Sequence, residues 1–230
     1  QSRWLGDVYK RQLAHTPNLE EFVQLHCITQ EVSERFSHTE IARKLLCGGA
    51  HWIQLRVKQG GAKRCHDIAT EILPLCRAAS AQLIINDYVE VASAVGANGV
   101  HLGVGDEHPS TARKLLGESA IIGATINTRS DIERLQGCRI DYVGIGPFRF
   151  TSTKEQLAPI LGLDGISEYC SEVRELLPGT LCIAVGGVQF EDLNSLIKTG
   201  IHGVAVATAI NTANDPVRMT TKFLTALGKV

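Results

Sequence analysis

No apolar stretch in this 230-residue chain approaches the ~18 residues of a bilayer-crossing helix, so neither a membrane span nor a membrane partner is expected. The opening stretch, QSRWLGDVYKRQLAHTP, carries basic residues without an apolar segment and does not read as a secretory leader. The expected setting is cytoplasmic. An excess of one charge is missing too. Lys and Arg number 23 against 24 Asp and Glu, a formal net charge of −1, so no global positive field would gather nucleic acid or an anionic surface. Any anionic ligand must be held by local design. The seven cysteines (27, 47, 65, 76, 138, 170 and 182) include no CxxC pair, which leaves them as small buried hydrophobes in a reducing compartment. No GxGxxG follows the first strand-like segment, which argues against a dinucleotide-binding fold.

What is present is a regular beat. Apolar, β-branched runs recur at FVQLHCIT (22–29), WIQLRV (52–57), QLIIND (82–87), GVHLG (99–103), AIIGATI (120–126), DYVGIG (141–146), LCIAVGG (181–187) and GVAVATA (203–209). Stretches with helical spacing lie between them. In TEIARKLLCGG (39–49), Ile41, Leu45 and Leu46 share one helical face and Gly48-Gly49 supplies the stop. Near-continuous apolar strands imply a parallel sheet covered on both faces. An open doubly wound sheet and a closed barrel both accept this order. Eight repeats in a chain of this length favour the α/β class and a (β/α)8 TIM barrel. Residues 1–18 lack the patterning and are set apart as an N-terminal extension, disordered or foreign to the native protein; 19–230 are expected to form a single catalytic barrel domain.

A barrel of this kind carries its function at the C-terminal ends of the strands, and polar residues collect there. Gln54, Arg56 and Lys58 share a face of the second strand by period two. The third strand ends on Asn86-Asp87, the loop after the fourth holds Asp106, and the fifth offers Thr125 and Asn127. GPFRFTSTK (146–154) follows the sixth and brings Thr151, Ser152, Thr153 and Lys154; the seventh closes on Gly186-Gly187 and the eighth on Ala207-Thr208. Each has an ordinary explanation taken alone: strand-end aspartates cap helices, rim lysines and arginines are solvated, TSTK and GG are turns. Their joint occurrence at successive strand ends points to a site. Two carboxylates on neighbouring strands suit Mg²⁺, which takes one or two carboxylates together with phosphate oxygens and waters. Lys58 and Lys154 add positive charge for a polyanion. Gly187 admits backbone N–H groups to a phosphate, the following helix start favours it, and Thr208 offers a hydroxyl donor. The pattern fits two anionic small molecules, a diphosphate ester meeting a phosphate monoester.

QLRVK, LIINDYVEVA, GANGVHLGVGD, DYVGIGPFRFTSTK, VGGV and GVAVATAI, in this order and spacing, resemble the thiamine-phosphate synthase (thiamin phosphate pyrophosphorylase) family, in its Bacteroidetes-like variant. The resemblance spans residues 22 to 225. It implies a transferase of thiamine biosynthesis that joins a hydroxymethylpyrimidine diphosphate to a thiazole phosphate or its carboxylate, giving thiamine monophosphate and pyrophosphate, with Mg²⁺ as cofactor. By position, Gln54, Arg56, Lys58 and Asn86 would contact the pyrimidine diphosphate and Asp87 and Asp106 would hold the metal. Thr125 stands where the family usually has a serine near the pyrimidine. Thr151, Ser152 and Thr153 would bind the thiazole phosphate with Gly187, Ala207 and Thr208. Lys154 would face the diphosphate, making Lys58, Lys154 and Thr125 the groups closest to the chemistry. A homo-oligomer is left open.

The implied chemistry is dissociative: an electron-rich aminopyrimidine stabilises its exocyclic carbon as diphosphate leaves, and the thiazole nitrogen captures it. That needs charge neutralised at the leaving group more than a strong base, so no catalytic histidine or cysteine is expected at the rim. The family pattern is departed from in three places. Val104-Gly105 interrupt HLGQxD, Asn127 replaces a common histidine, and Gln59 follows Lys58. Two rival readings are a thiazole tautomerase of the same superfamily, which would want an acid–base histidine near the fifth strand, and a catalytically silent barrel that binds thiamine phosphates.

Overall fold

Strands without polar alternation need both faces covered, and a sheet closed on itself provides that. In a computed structural model of the chain, which describes residues 24–32, 35–150 and 159–228, eight strands close in this way. They are β1 (Leu25–Ile28), β2 (Trp52–Leu55), β3 (Gln82–Asn86), β4 (Gly99–Leu102), β5 (Ile121–Ile126), β6 (Tyr142–Ile145), β7 (Leu181–Val185) and β8 (Gly203–Val206). Neighbours pair in parallel in chain order, and β8 returns to β1 through Leu25↔Val204, His26↔Ala205 and Cys27↔Val206. Each strand lies inside one of the eight apolar runs, and the closed barrel, not the open sheet, is the architecture. The extension proposed for residues 1–18 lies outside the described residues. No described helix is long and apolar enough to cross a membrane.

Helices alternate with the strands: α1 (His38–Cys47), α2 (Gly61–Ala78), α3 (Val89–Val95), α4 (Pro109–Leu116), α5 (Arg129–Arg134), α6 (Gly162–Leu176), α7 (Leu193–Ile197), α8 (Thr208–Asn211) and α9 (Pro216–Leu227). Local chemistry fixes α1. The Ser37 hydroxyl accepts from the Glu40 N–H while the Glu40 carboxylate accepts from the Ser37 N–H at 2.8 Å, a reciprocal cap. Ile41, Ala42 and Leu45 turn inward, and the chain leaves the helix at Gly48. A Cβ at position 48 would stand 2.6 Å from the Thr220 Cβ, so glycine lets α1 and α9 approach where the barrel closes.

Period two then sorts the strand residues into layers. Ile53, Leu55, Ile122, Ala124 and Ile126 point outward into the core shared with the helices. Trp52, Ile84, Ile121, Tyr142, Ile183 and Ala205 form a separate inner cluster in the lumen. Two residues further along the same strands, the inward positions become Gln54, Asn86, Gly123 and Gly144. The lumen is therefore apolar and aromatic at its base and polar at the strand ends.

At the opposite end, where β5 and β6 begin, Arg113 of α4 is buried to 7% exposure. Its guanidinium donates to the carbonyls of Gly117 at 3.1 Å, Glu118 at 3.2 Å and Arg139 at 3.2 Å, and to the Asp141 carboxylate at 2.7 Å. The same Asp141 oxygen accepts from the Ile122 N–H at 2.7 Å, so one charged pair ties α4 to the starts of two strands.

Candidate active site

A cavity of ≈ 980 Å³ opens where the strands end, with contributions from every strand or the loop that follows it. Gln54, Arg56, Lys58, Asn86, Asp87, Asp106, Thr125, Gly187, Ala207 and Thr208 all line it. Thr151, Ser152, Thr153 and Lys154 lie outside the described residues.

The capping explanation fails for both aspartates. α3 has Tyr88 at its N-cap with no side-chain cap bond, and α4 is capped by His108, whose ring accepts from the Ser110 N–H. Asp87 instead occupies the left-handed region with φ of 69°, its N–H donating to the His101 carbonyl at 2.9 Å. Aspartate tolerates that conformation better than most side chains, and such strain collects at functional sites. Asp106 accepts from the Gly103 N–H at 2.6 Å. The Tyr88 phenol feels both carboxylates: burial first, then Asp87, Cys65, Glu90 and Asp106, push its pKa up. Among the described residues no group of three His, Cys, Asp or Glu could enclose a metal. Two hard carboxylates without a third suit a cation that fills its remaining positions with water and ligand oxygens.

The positive and phosphate-facing parts are built at the ends of the first, second, seventh and eighth strands. Arg56 is half-buried and its N–H donates to Thr29 Oγ1 at 3.3 Å, while Lys58 is exposed beyond the strand. After β7, Gly186 and Gly187 take φ of 99° and 69°, and a Cβ at 187 would lie 2.4 Å from the Arg149 side chain. The chain leaving β6 is laid along this turn: the Phe148 N–H donates to the Val185 carbonyl at 2.9 Å and Arg149 pairs with Asp192 at 2.6 Å. That places the segment leading to residue 151 against the β7 turn. The Thr208 hydroxyl donates to Gln30 Oε1 at 3.0 Å, so a role as donor to a phosphate requires exchange of that partner.

His26 and His101 stand deeper in the cavity than the strand-end residues. His26, His38 and His101 all line the cavity. His26 stacks on Trp52 at 4.4 Å between ring centres, with Tyr142 edge-on at 5.4 Å. Burial, and secondarily the charge of His101, push its pKa well down. His38 Nδ1 lies 2.9 Å from Thr29 Oγ1, and burial lowers its pKa as well. His101 bridges the Tyr142 hydroxyl at 3.1 Å and Thr125 Oγ1 at 3.0 Å. Counting in twos along LHCI and GVHL turns His26 and His101 inward, below the strand ends where the other polar residues collect.

Buried neutral histidines make stability depend on pH. A histidine whose pKa falls on folding contributes fully above its unfolded value, about 6.5, and that contribution is lost as pH drops below it. Urea midpoints are therefore expected to decline from about pH 7.5 to 5.5, and less steeply in His26→Asn. A wild-type midpoint that stays level over this range would contradict the assignment of His26 as a buried neutral ring.

A family model described as thiamine monophosphate synthase matches residues 25–210. The thiamine-phosphate synthase of Bacteroides fragilis is 41% identical over 202 residues, 88% of this chain and 98% of that protein. The thiamine-phosphate synthase of Salinibacter ruber is 36% identical over 208 residues, 90% of this chain and 89% of that protein. Among solved structures, thiamine phosphate pyrophosphorylase from Pyrococcus furiosus matches with a TM-score of 0.81 at 28% identity, covering 92% of this chain and 98% of that one.

Proposed function

The chain belongs to the thiamine monophosphate synthase family, and on that premise we propose that its cavity joins a hydroxymethylpyrimidine diphosphate to a thiazole phosphate, releasing pyrophosphate and thiamine monophosphate. The observation that carries this reading is the pair Asp87 and Asp106, set after adjacent strands, turned to the cavity and used by neither neighbouring helix as a cap.

In this reading Gln54 and Asn86, both buried in the inner wall, hold the pyrimidine ring beside Thr125. Arg56, Lys58 and Lys154 face the diphosphate oxygens. Gly187, Ala207 and Thr208, with Thr151, Ser152 and Thr153, bind the thiazole phosphate on the far side. Asp87 and Asp106 are the residues that would hold Mg²⁺, whose charge, when bound, neutralises the departing diphosphate. The aminopyrimidine carries positive charge on its exocyclic carbon as the C–O bond breaks, and the walls hold the thiazole nitrogen in line for capture. Holding both substrates in one cavity substitutes for a strong base. His101 agrees with that division of labour: both ring nitrogens are engaged by Tyr142 and Thr125, so it is not placed as the proton shuttle a tautomerase would need.

Chelation tests the metal's part. Turnover is expected to fall to background when EDTA strips divalent cations and to return with Mg²⁺, while the unfolding temperature stays put. Full turnover in excess EDTA would remove the metal from the account.

A further inference from the structure

We infer that Thr29 and His38 form a buried clasp that sets the path of the chain leaving β2, which makes both of them positioning residues for the diphosphate held by Arg56 and Lys58. The inference rests on the diphosphate reading of the cavity and adds to it the element that aims two of its cationic side chains.

β2 ends at Leu55, so Arg56 and Lys58 stand beyond the sheet ladder. Long side chains inherit any error in the backbone that carries them, and two contacts limit that error here. Val57 is buried in the core shared with the helices, at 5% exposure, which turns Arg56 and Lys58 on either side of it toward the cavity. On the β1 side, the Thr29 N–H donates to the Gln54 carbonyl at 2.8 Å, and Thr29 Oγ1 accepts from the Arg56 N–H at 3.3 Å. One threonine therefore continues the β1–β2 pairing past the last rung, first with its backbone and then with its side chain. A bond of that length depends on an acceptor that stays in place.

The Thr29 hydroxyl is held in place twice over. Its β-branched side chain has few rotamers, and His38 Nδ1 lies 2.9 Å from the oxygen. Either partner can supply the hydrogen without altering the pairing. Thr29 is 1% exposed and His38 4% exposed, so water has little access to replace either. His38 is in turn fixed by its place at the start of α1, directly after the reciprocal Ser37–Glu40 cap. A second bridge spans the same gap: Arg64 donates to the Glu31 carboxylate at 2.5 Å and to the Gln59 carbonyl at 3.4 Å. Its side chains are 40% and 41% exposed, where water and salt screen an ion pair. The buried clasp carries the constraint.

Hydrogen exchange on the ligand-free protein reads the clasp before any substrate is added. The Arg56 amide is expected to exchange about tenfold faster in Thr29→Val, which keeps the branched shape and removes the acceptor. Equal exchange in variant and wild type would overturn the clasp. Inorganic pyrophosphate with Mg²⁺ then probes the diphosphate subsite. Its Kd is expected to rise about fivefold in Thr29→Val and in His38→Leu, the scale of one neutral hydrogen bond, while the Kd for thiazole phosphate stays at the wild-type value. A merely structural role would weaken both ligands alike, and that result would overturn the positioning role. His38→Asn, whose amide stands where Nδ1 stood, should keep the pyrophosphate affinity. His38→Gln, whose amide stands where Nε2 stood, should lose it; the reverse order would show His38 acting on the ligand directly and overturn its action through Thr29. An unchanged pyrophosphate Kd in Thr29→Val, beside faster Arg56 exchange, would overturn the positioning role as well. Wild-type protein that shows the expected exchange but binds no pyrophosphate would overturn the diphosphate reading of the site and leave the clasp standing.

Discussion

Asp87→Asn is expected to reduce turnover by about a thousandfold or more, with the unfolding temperature close to that of the wild type. The choice of asparagine follows from the backbone. Asp87 has φ of 69°, a conformation asparagine shares readily and alanine does not. Alanine would mix lost charge with backbone strain, whereas asparagine removes only the charge. A carboxylate that neutralises a departing diphosphate through a bound cation supplies several kcal/mol in the transition state, so losing it costs orders of magnitude in rate. If Asp87 were merely a surface group, the asparagine variant would turn over at nearly the wild-type rate. Steady-state kinetics at saturating Mg²⁺, beside a melting curve, separate the two cases.

Arg113→Ala is expected to lower stability by about 3–5 kcal/mol, the range for removing one partner of a buried ion pair. Asp141 is 21% exposed at its side chain and would lose the guanidinium while keeping its bond from the Ile122 N–H. The carbonyls of Gly117, Glu118 and Arg139 would lose their guanidinium donors together. The predicted signature is a large drop in the urea midpoint with ligand affinities intact in whatever fraction stays folded, because Arg113 is at the end of the barrel away from the cavity. A midpoint within about 1 kcal/mol of wild type would show that water replaces the guanidinium at little cost.

Much of this architecture was legible because strand burial leaves a strong trace. Runs such as LII and LCIAV are apolar at consecutive positions, as strands covered on both faces are, and eight of them in alternation with helical spacing leave few alternatives to closure. The strand ends were legible for the same reason: once the barrel is fixed, Asp87, Asp106, Gly187 and Thr208 are carried to one rim by topology. Cross-strand contacts were not legible. His101 on β4 meets Tyr142 on β6 and Thr125 on β5, and no local pattern reveals that an inward residue of one strand reaches past its neighbour. The same holds for Gly123, whose lack of a side chain has meaning only beside the Tyr142 ring. Nothing in the sequence marks Arg113 and Asp141 as partners, since they stand 28 residues apart on different elements. Thr208 shows the opposite limit: its position was foreseen, while its bond to Gln30 depends on how the β1 loop crosses the rim.

In the proposed function one cavity brings a diphosphate-bearing pyrimidine and a thiazole phosphate together over Asp87 and Asp106. Pyrophosphate release from the pyrimidine diphosphate, followed with and without thiazole phosphate and with and without Mg²⁺, tests it most directly. Release is expected to require both additions and to yield thiamine monophosphate in equal amount. No release from folded protein, or release indifferent to the thiazole phosphate, would contradict it.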